Sequence, residues 1–349
     1  MSFGIRDDIL HKKEEKTMSE KLTVVTGANG YLGYALVSEL AGRGEKIRLS
    51  LLFDCNDLDE FGCEKMIGNV CDPKHLEEAF EGAETVYHVA GIVDITGERD
   101  KLVWDVNYEG TKNVVAACKK CGVKNLVYVS SVDCIPVGYD SSVIREVNHF
   151  EPDLIEGAYG KSKAAASQFV MDSSDESLKC CVVHPSCCIG PNDIYGTNSV
   201  CTMIGLYLKG LFPVTLNFGG YNFVDVRDVA KGMVAAAEKG RGGECYFLCG
   251  DRLTVDEFIK TLAKINNKKP PKIAMGKNLL LKLTPAIGAV FKICKLPPVL
   301  TPFSINKICE NCNFSYEKAA EELGYAPMSA EDSLRDTVNW LKAKKAEKK

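Results

Sequence analysis

From Lys21 onward, short apolar runs alternate with amphipathic stretches: Leu22 to Thr26, then Tyr31 to Ala41, Ile47 to Leu52, His75 to Phe80, Thr85 to Val89, Tyr108 to Cys118 and Leu126 to Ser130. Apolar runs this short suit strands buried on both faces, and the amphipathic stretches between them suit covering helices. The alternation therefore predicts βαβ units and an α/β fold with a doubly wound parallel sheet. Cys180 to His184 continues the sheet, and Asp72-Pro73 marks a helix start, with the carboxylate as N-cap and the proline at the first helical position. After Pro191 the alternation becomes irregular. It returns around Phe223 to Ala237 and Cys245 to Leu248, then gives way to a mainly helical C-terminal region.

These shifts predict an extension over 1–20 without fixed structure, a sheet domain over 21–190 plus 223–250, a smaller substrate-binding region over 191–222 plus 251–341, and a basic tail over 342–349, expected as a frayed helix tip. The fold begins at Lys21, and residues 1–17 have no apolar periodicity with which to join it. The native start is therefore expected at Met18, since Lys13-Glu14-Glu15-Lys16 can be encoded by a bacterial ribosome-binding sequence.

At 349 residues and 46% hydrophobic content, the chain can bury a large core. Its 43 basic and 47 acidic residues nearly cancel, with no basic stripe or aromatic platform, which excludes nucleic acid as a partner. The polar segment 1–20 lacks the apolar centre of a secretory signal, so a cytoplasmic location is expected, and the sixteen cysteines read as reduced thiols in apolar runs. Two Cys-x-x-Cys pairs, Cys118/Cys121 and Cys309/Cys312, have zinc-like spacing. They lie in distant segments with their own structural explanations, and no metal is expected. The apolar stretch from Asn278 to Thr301 is broken by Lys282, Pro285, Lys292, Lys295 and Pro297-Pro298 into pieces too short to span a bilayer. A buried or lid-forming helix is the expectation there, ahead of surface contact with a membrane.

Two motifs carry chemistry. Thr26-Gly27-Ala28-Asn29-Gly30-Tyr31-Leu32-Gly33 follows the first strand and opens a helix. Glycines at 27, 30 and 33 allow a tight turn, close approach of a pyrophosphate to the main chain, and close packing of helix on strand. The second is Tyr159-Gly160-Lys161-Ser162-Lys163, in which Tyr159 and Lys163 share a helix face. A phenol titrates near 10, and a fixed cation beside it is expected to lower that value by about 1–3 units, making Tyr159 a usable acid and base. Ser130-Ser131 ends a strand at the sheet edge where open α/β folds bind ligands.

With these motifs in place, the chain resembles an extended short-chain dehydrogenase/reductase over nearly all of 21–341. The resemblance rests also on Val86 to Gly91, Asn107 to Val114, Val127 to Ser131, His184 to Pro191 and Phe223 to Ala230. It implies a Rossmann-type sheet and an NAD(P)-dependent enzyme in which Tyr159 is the general acid/base, Lys163 its partner and a ribose ligand, and Ser131 the group that polarises the substrate oxygen. Cofactor contacts are implied for Gly27, Asn29, Gly30, Tyr31, Leu32, Gly33, Asp54, Asn69, Val70, Ala90, Gly91, Asn107, Lys163 and Pro185. Asn69 replaces an aspartate that many relatives place on the adenine, and its amide oxygen can still accept from the adenine amino group.

Departures narrow the substrate. Ser131-Val132-Asp133 lacks the first acid of sugar-nucleotide dehydratases, Cys187 stands where epimerases carry an asparagine, and the Asn-Trp-Tyr-Cys-Tyr of cinnamoyl-CoA reductases is absent. What remains resembles the 3β-hydroxysteroid dehydrogenase and dihydroflavonol-4-reductase-like branch, which implies an alcohol or ketone on a small apolar molecule such as a hydroxysteroid or flavonoid. A nucleotide-sugar epimerase/dehydratase and a non-catalytic dinucleotide sensor are the alternatives, and a homodimer stays open.

Asp133, His184 and Cys187 are expected near the substrate pocket, though His184 could equally be a strand-end hydrogen-bonder and Cys187 and Cys188 small apolar fillers. His88 reads as a satisfied core histidine, and Asp225 and Asp228 as caps or local partners of Arg227. NAD(H) is favoured over NADP(H). The second strand ends in Leu51-Leu52 without a cation for a 2′-phosphate, the following loop holds Asp54, Asp57, Asp59 and Glu60, and Arg48 lies about 13 Å back along the strand.

Overall fold

The computed structural model describes residues 21–94, 97–212, 214–293 and 301–347. The extension over 1–20, the proposed start at Met18 and the Pro297-Pro298 break lie outside the described residues. In chain order the first half holds β1 (Leu22–Thr26), α1 (Tyr31–Gly42), β2 (Lys46–Leu51), β3 (Glu64–Ile67), α2 (Pro73–Phe80), β4 (Ala83–His88), α3 (Asp100–Trp104), α4 (Gly110–Cys121), β5 (Asn125–Val129), α5 (Ala158–Asp172) and β6 (Lys179–Pro185). The second half holds β7 (Cys187–Ile189), α6 (Ser199–Leu208), β8 (Thr215–Leu216), β9 (Gly220–Asp225), α7 (Val226–Lys239), β10 (Glu244–Leu248), β11 (Asp251–Thr254), α8 (Val255–Ile265), β12 (Ala274–Met275), α9 (Lys277–Ile293), α10 (Pro302–Lys307), α11 (Glu317–Leu323) and α12 (Ala330–Glu347).

Seven parallel strands form the main sheet in the order β10-β6-β5-β4-β1-β2-β3. Alternation along β1 sends Val24 to one core and Val25 to the other. The first core joins Leu76, Val114 and Val170 from α2, α4 and α5, and the second joins Leu36, Val37 and Met233 from α1 and α7. The chain moves from β1 outward to β3 and then returns to the other side of β1 with β4. The crevice at the C-terminal ends of β1 and β4 is thus the topological switch point.

Local chemistry sets the boundaries. Asp72 caps α2 by accepting from the Lys74 amide at 3.0 Å, worth about 1 kcal/mol, with Pro73 behind it. Gly33 lets α1 rest on β1. A β-carbon there would lie 2.2 Å from the Gly27 carbonyl oxygen, a clash with backbone that no rotamer relieves. Gly33→Ala is expected to destabilise the fold by about 1–3 kcal/mol and to weaken dinucleotide binding. Thermal melting and NADH fluorescence titration measure the two effects, and an unchanged melt would mean that α1 can lift off β1 freely.

Three features depart from the sequence expectations. β3, Glu-Lys-Met-Ile, has no buried residue, so the edge strand carries no apolar run to announce it. The return of strand pattern at Phe223 is β9, which belongs not to the main sheet but to a three-stranded one, β11-β9-β7, over a third core containing Ile189, Ile204, Phe223, Phe258 and Leu334. The C-terminal segment does not fray at 342. α12 runs on, and Lys344 donates to the carbonyls of Asp193 and Ile194 at 3.2 and 2.6 Å. Asp225 caps α7 as expected, and it also accepts from Ser333 on α12, while Arg227 bridges Asp225 and Asp336.

Candidate active site

The glycine loop crosses the switch point. Gly27, at φ +69°, turns the chain, and its β-carbon would lie 2.6 Å from the Ala90 backbone, so only glycine allows β1 and β4 to approach there. Gly30 is the N-cap of α1, with no side chain capping the helix. The first-turn amides, among them those of Tyr31, Leu32 and Gly33, therefore face the crevice without a side-chain acceptor, as a pyrophosphate site requires. Asn29, Gly30 and Tyr31 line a cleft with Asn192, Ile194 and Tyr195, and the Tyr31 hydroxyl donates to the Gly190 carbonyl at 2.9 Å. A dinucleotide fits this cradle, whose backbone approach a single β-carbon would block.

On the far side of the crevice, Thr26, His88 and Thr111 form a buried chain with contacts of 2.8 and 3.0 Å, and Thr26 Oγ1 also accepts from the Ala90 amide. Burial, and next the Lys163 charge, lower His88 to about 3, so the imidazole is neutral and structural. Asn107 sits on a π-helical turn, Asp105–Glu109, between α3 and α4. Its amide oxygen accepts from Ile92 N at 2.8 Å, while its nitrogen donates to Ile92 O at 2.9 Å and to Ser162 at 3.3 Å, tying the loop after β4 to α5. Gly91 lies against Asn107 and Lys163.

Lys163 is 4% exposed. Its ammonium donates to the Val129 carbonyl at 2.7 Å and stands 4.8 Å above the Tyr128 ring. Burial pulls its pKa down to about 8. The Ser131 hydroxyl accepts from the Asp133 amide at 3.1 Å and lies close to the Tyr159 phenol. The expected lowering of the Tyr159 phenol by Lys163 is not what this structure holds. Burial first, and then the Asp133 carboxylate, push Tyr159 above the usual phenol range, while the Ser131 hydroxyl acts the other way. Lys163 is turned toward Val129 and does not enter the balance.

Asp133 gathers partners at the end of the cleft beside Tyr159. Its Oδ1 accepts from Tyr221 at 2.9 Å and pairs with Lys307 at 3.3 Å, and Lys307 also pairs with Glu310 at 2.8 Å. Sequence reasoning missed Tyr221 and Lys307, which carry no motif and reach Asp133 only through β9 and α10. Cys187 is half-buried on β7 nearby, and burial raises its thiol well above the usual range. Pro185 ends β6, buried. His184 does not join the cleft. It is fully enclosed, bonded to the Ser131 carbonyl at 3.1 Å and stacked on Phe150, because its position on β6 points it into the core under the Ser131 loop.

At the loop after β2 the expected absence of a cation needs correction, since β3 brings Lys65 to the loop. Its three donors are taken by Asp54 at 3.1 Å, the Cys55 carbonyl at 2.6 Å and Asp59. Asp54 is therefore already paired, with an oxygen left over. Arg48 bonds Glu64 and the carbonyls of Ala79 and Glu81, closing the end of α2 away from the crevice. Asn69 uses its amide oxygen on the Cys71 amide at 2.9 Å, and Val70 is buried against Gly110.

Residues 24–239 match the 3-beta hydroxysteroid dehydrogenase/isomerase family. The chain is 28% identical to the protein named Sterol demethylase protein B of Methylococcus capsulatus, over 92% of this chain and 98% of that one. It is 26% identical to Sterol-4-alpha-carboxylate 3-dehydrogenase, decarboxylating, of Mus musculus, over 94% and 92%. Among solved structures, the Thermus thermophilus UDP-glucose 4-epimerase in complex with NAD superposes with a TM-score of 0.69 at 21% identity, covering 92% of this chain and 99% of that one. That likeness speaks for the fold alone.

Proposed function

From the premise that this chain belongs to the 3-beta hydroxysteroid dehydrogenase/isomerase family and is a nicotinamide-dinucleotide-dependent oxidoreductase, we propose that it interconverts a secondary alcohol and a ketone on a small apolar molecule. One observation carries this reading: the Tyr159 phenol and the Ser131 hydroxyl lie together at the C-terminal edge of the sheet, with Lys163 buried beneath. The dinucleotide, held by the glycine loop, supplies hydride exchange when bound. In the reducing direction, Tyr159 gives its proton to the substrate oxygen and Ser131 donates a hydrogen bond to the same atom. Lys163, which faces Val129 and not the phenol, is read as a ligand of the dinucleotide's ribose, and Asn107 keeps α5 and the loop after β4 in register. Tyr159 and Ser131 are catalytic in this reading, and Asp133 positions Ser131.

An apolar substrate is supported by sterols in the names of two relatives. A screen of sterols, bile acids, flavonoids and small aldehydes with NADH and NADPH, followed at the coenzyme absorbance, tests it. Turnover only of sugar nucleotides, with NAD retained through purification, would overturn it in favour of an epimerase or dehydratase.

NADH is expected to give the higher kcat/KM. The ribose end presents Asp54, Asp57 and Asp59, its nearby ammonium on Lys65 has no donor left, and Arg48 is committed to α2. Arg48→Ala should leave the coenzyme ratio unchanged. A clear NADPH advantage would mean that Lys65 abandons its carboxylates for a 2′-phosphate.

A further inference from the structure

Between Glu257 and Glu310 the chain has no acidic residue and ten lysines, although its net charge is −4. Lys260 pairs with Asp256 on its own helix, and Lys264 and Lys307 pair with Glu331 and Asp133. Lys268, Lys269, Lys272, Lys277, Lys282 and Lys292 make no ion pair with any described residue, so positive charge is concentrated along one segment of the surface.

The same segment contains α9. Only Leu280 and Thr284 of this helix are buried, so the buried helix expected from the sequence is instead largely exposed, and α10 is its neighbour. Leu279, Leu283, Ala286, Val290 and Ile293, spaced by four, three, four and three residues, form one apolar stripe facing solvent. Leu279 and Val290 are each 54% exposed and Ile293 is 81% exposed. Lys282 borders the stripe, and Lys292 is exposed farther round the helix. A helix of this kind, apolar on one face and basic beside it, suits the boundary between headgroups and acyl chains. No described helix is long and apolar enough to cross a membrane.

We propose that α9 lies flat on an anionic lipid surface, with its apolar stripe among the acyl chains and the neighbouring lysines paired with headgroup phosphates. The charge pattern selects this occupant. A second copy docking on the same stripe would bring two lysine-rich segments together with no carboxylate between them. An anionic surface instead attracts each lysine within a Debye length. α9 contacts α10, whose Lys307 pairs with Asp133, so the docked helix is linked to the end of the cleft that holds Asp133. Under the function proposed above, an apolar substrate would reach Tyr159 from the bilayer with little passage through water, but docking itself does not depend on that reading.

Flotation of the full chain with vesicles tests docking directly. Binding to phosphatidylcholine vesicles containing phosphatidylglycerol should exceed binding to phosphatidylcholine alone by at least about tenfold and should fall at high salt. Leu283→Gln/Val290→Gln and Lys282→Gln/Lys292→Gln should each reduce that binding by about tenfold or more, with NADH titration unchanged to report an intact fold. A wild-type chain that stays off anionic vesicles, or a Leu283→Gln/Val290→Gln protein that floats as well as wild type, overturns the proposal. So does sedimentation showing a wild-type dimer that the same double substitution splits, since a second copy would then cover the stripe. Turnover of a water-soluble ketone by a chain that does not float would separate failure of docking from failure of the catalytic assignment.

Discussion

Tyr159→Phe is expected to lower kcat by roughly 10²–10⁴-fold while leaving NADH affinity within about twofold. The phenylalanine ring fills the same space on α5, and what is lost is the transferable proton beside Ser131. Stopped turnover with an intact NADH titration supports the assignment, and near wild-type turnover would remove Tyr159 from the chemistry. The direction of its shift adds a pH signature. Burial and the Asp133 carboxylate hold the phenol protonated well above neutrality, which suits proton donation to a ketone. Alcohol oxidation, which needs the phenolate, should keep rising into the alkaline range, and Asp133→Asn should move that rise to lower pH. A rise at the same pH in the variant would mean that the carboxylate is not felt by the phenol.

Lys163→Met should abolish turnover, weaken dinucleotide binding and yet raise the melting temperature of the cofactor-free protein at pH 7. Burial lowers this lysine from a free value of 10.5 to about 8. Its contribution to stability is therefore fully present above 10.5 and is lost as pH falls to about 8. Below that, the folded state carries a buried cation at a cost of order 3 kcal/mol. Methionine fills the channel without the charge, and although the bond to Val129 goes with it, that bond is worth less. Wild-type stability should gain on the variant between pH 8 and 10.5, and parallel stability curves would sink the argument. A residue that weakens the fold while serving the site is the expected form of a stability and activity trade-off.

Much of this architecture could be read from the chain because its signals are local. The glycine loop needs its glycines contiguous with a strand and a helix, and Tyr159 and Lys163 sit one helical turn apart. The parts that could not be read depend on tertiary placement. Lys65 reaches Asp54 only because β3, an edge strand without apolar alternation, pairs with β2. Tyr221 and Lys307 meet Asp133 from segments 88 and 174 positions away in a region of irregular pattern. The π turn carrying Asn107 contains no glycine or proline, so the sequence reads through it as continuous helix. The opposite sign of the Tyr159 shift has the same origin, since the helical spacing is right but Lys163 points to Val129 and the charge that acts on the phenol is Asp133.

The tie between Asp225 and α12 bears on how the molecule is made. Asp225 is a fully buried carboxylate at the junction of β9 and α7, and its neutralisation is completed by Ser333 and by Arg227 held on Asp336. On the ribosome, at roughly 5–20 residues per second, the parallel strands emerge long before those α12 residues do. Throughout that interval the third core lacks Leu334 and Val338 and exposes Phe223 and Phe258, so a nascent or C-terminally shortened chain presents an apolar surface to chaperones and proteases. Completion of α12 is the step that withdraws it, which gives the cell a way to tell a finished enzyme from an interrupted one.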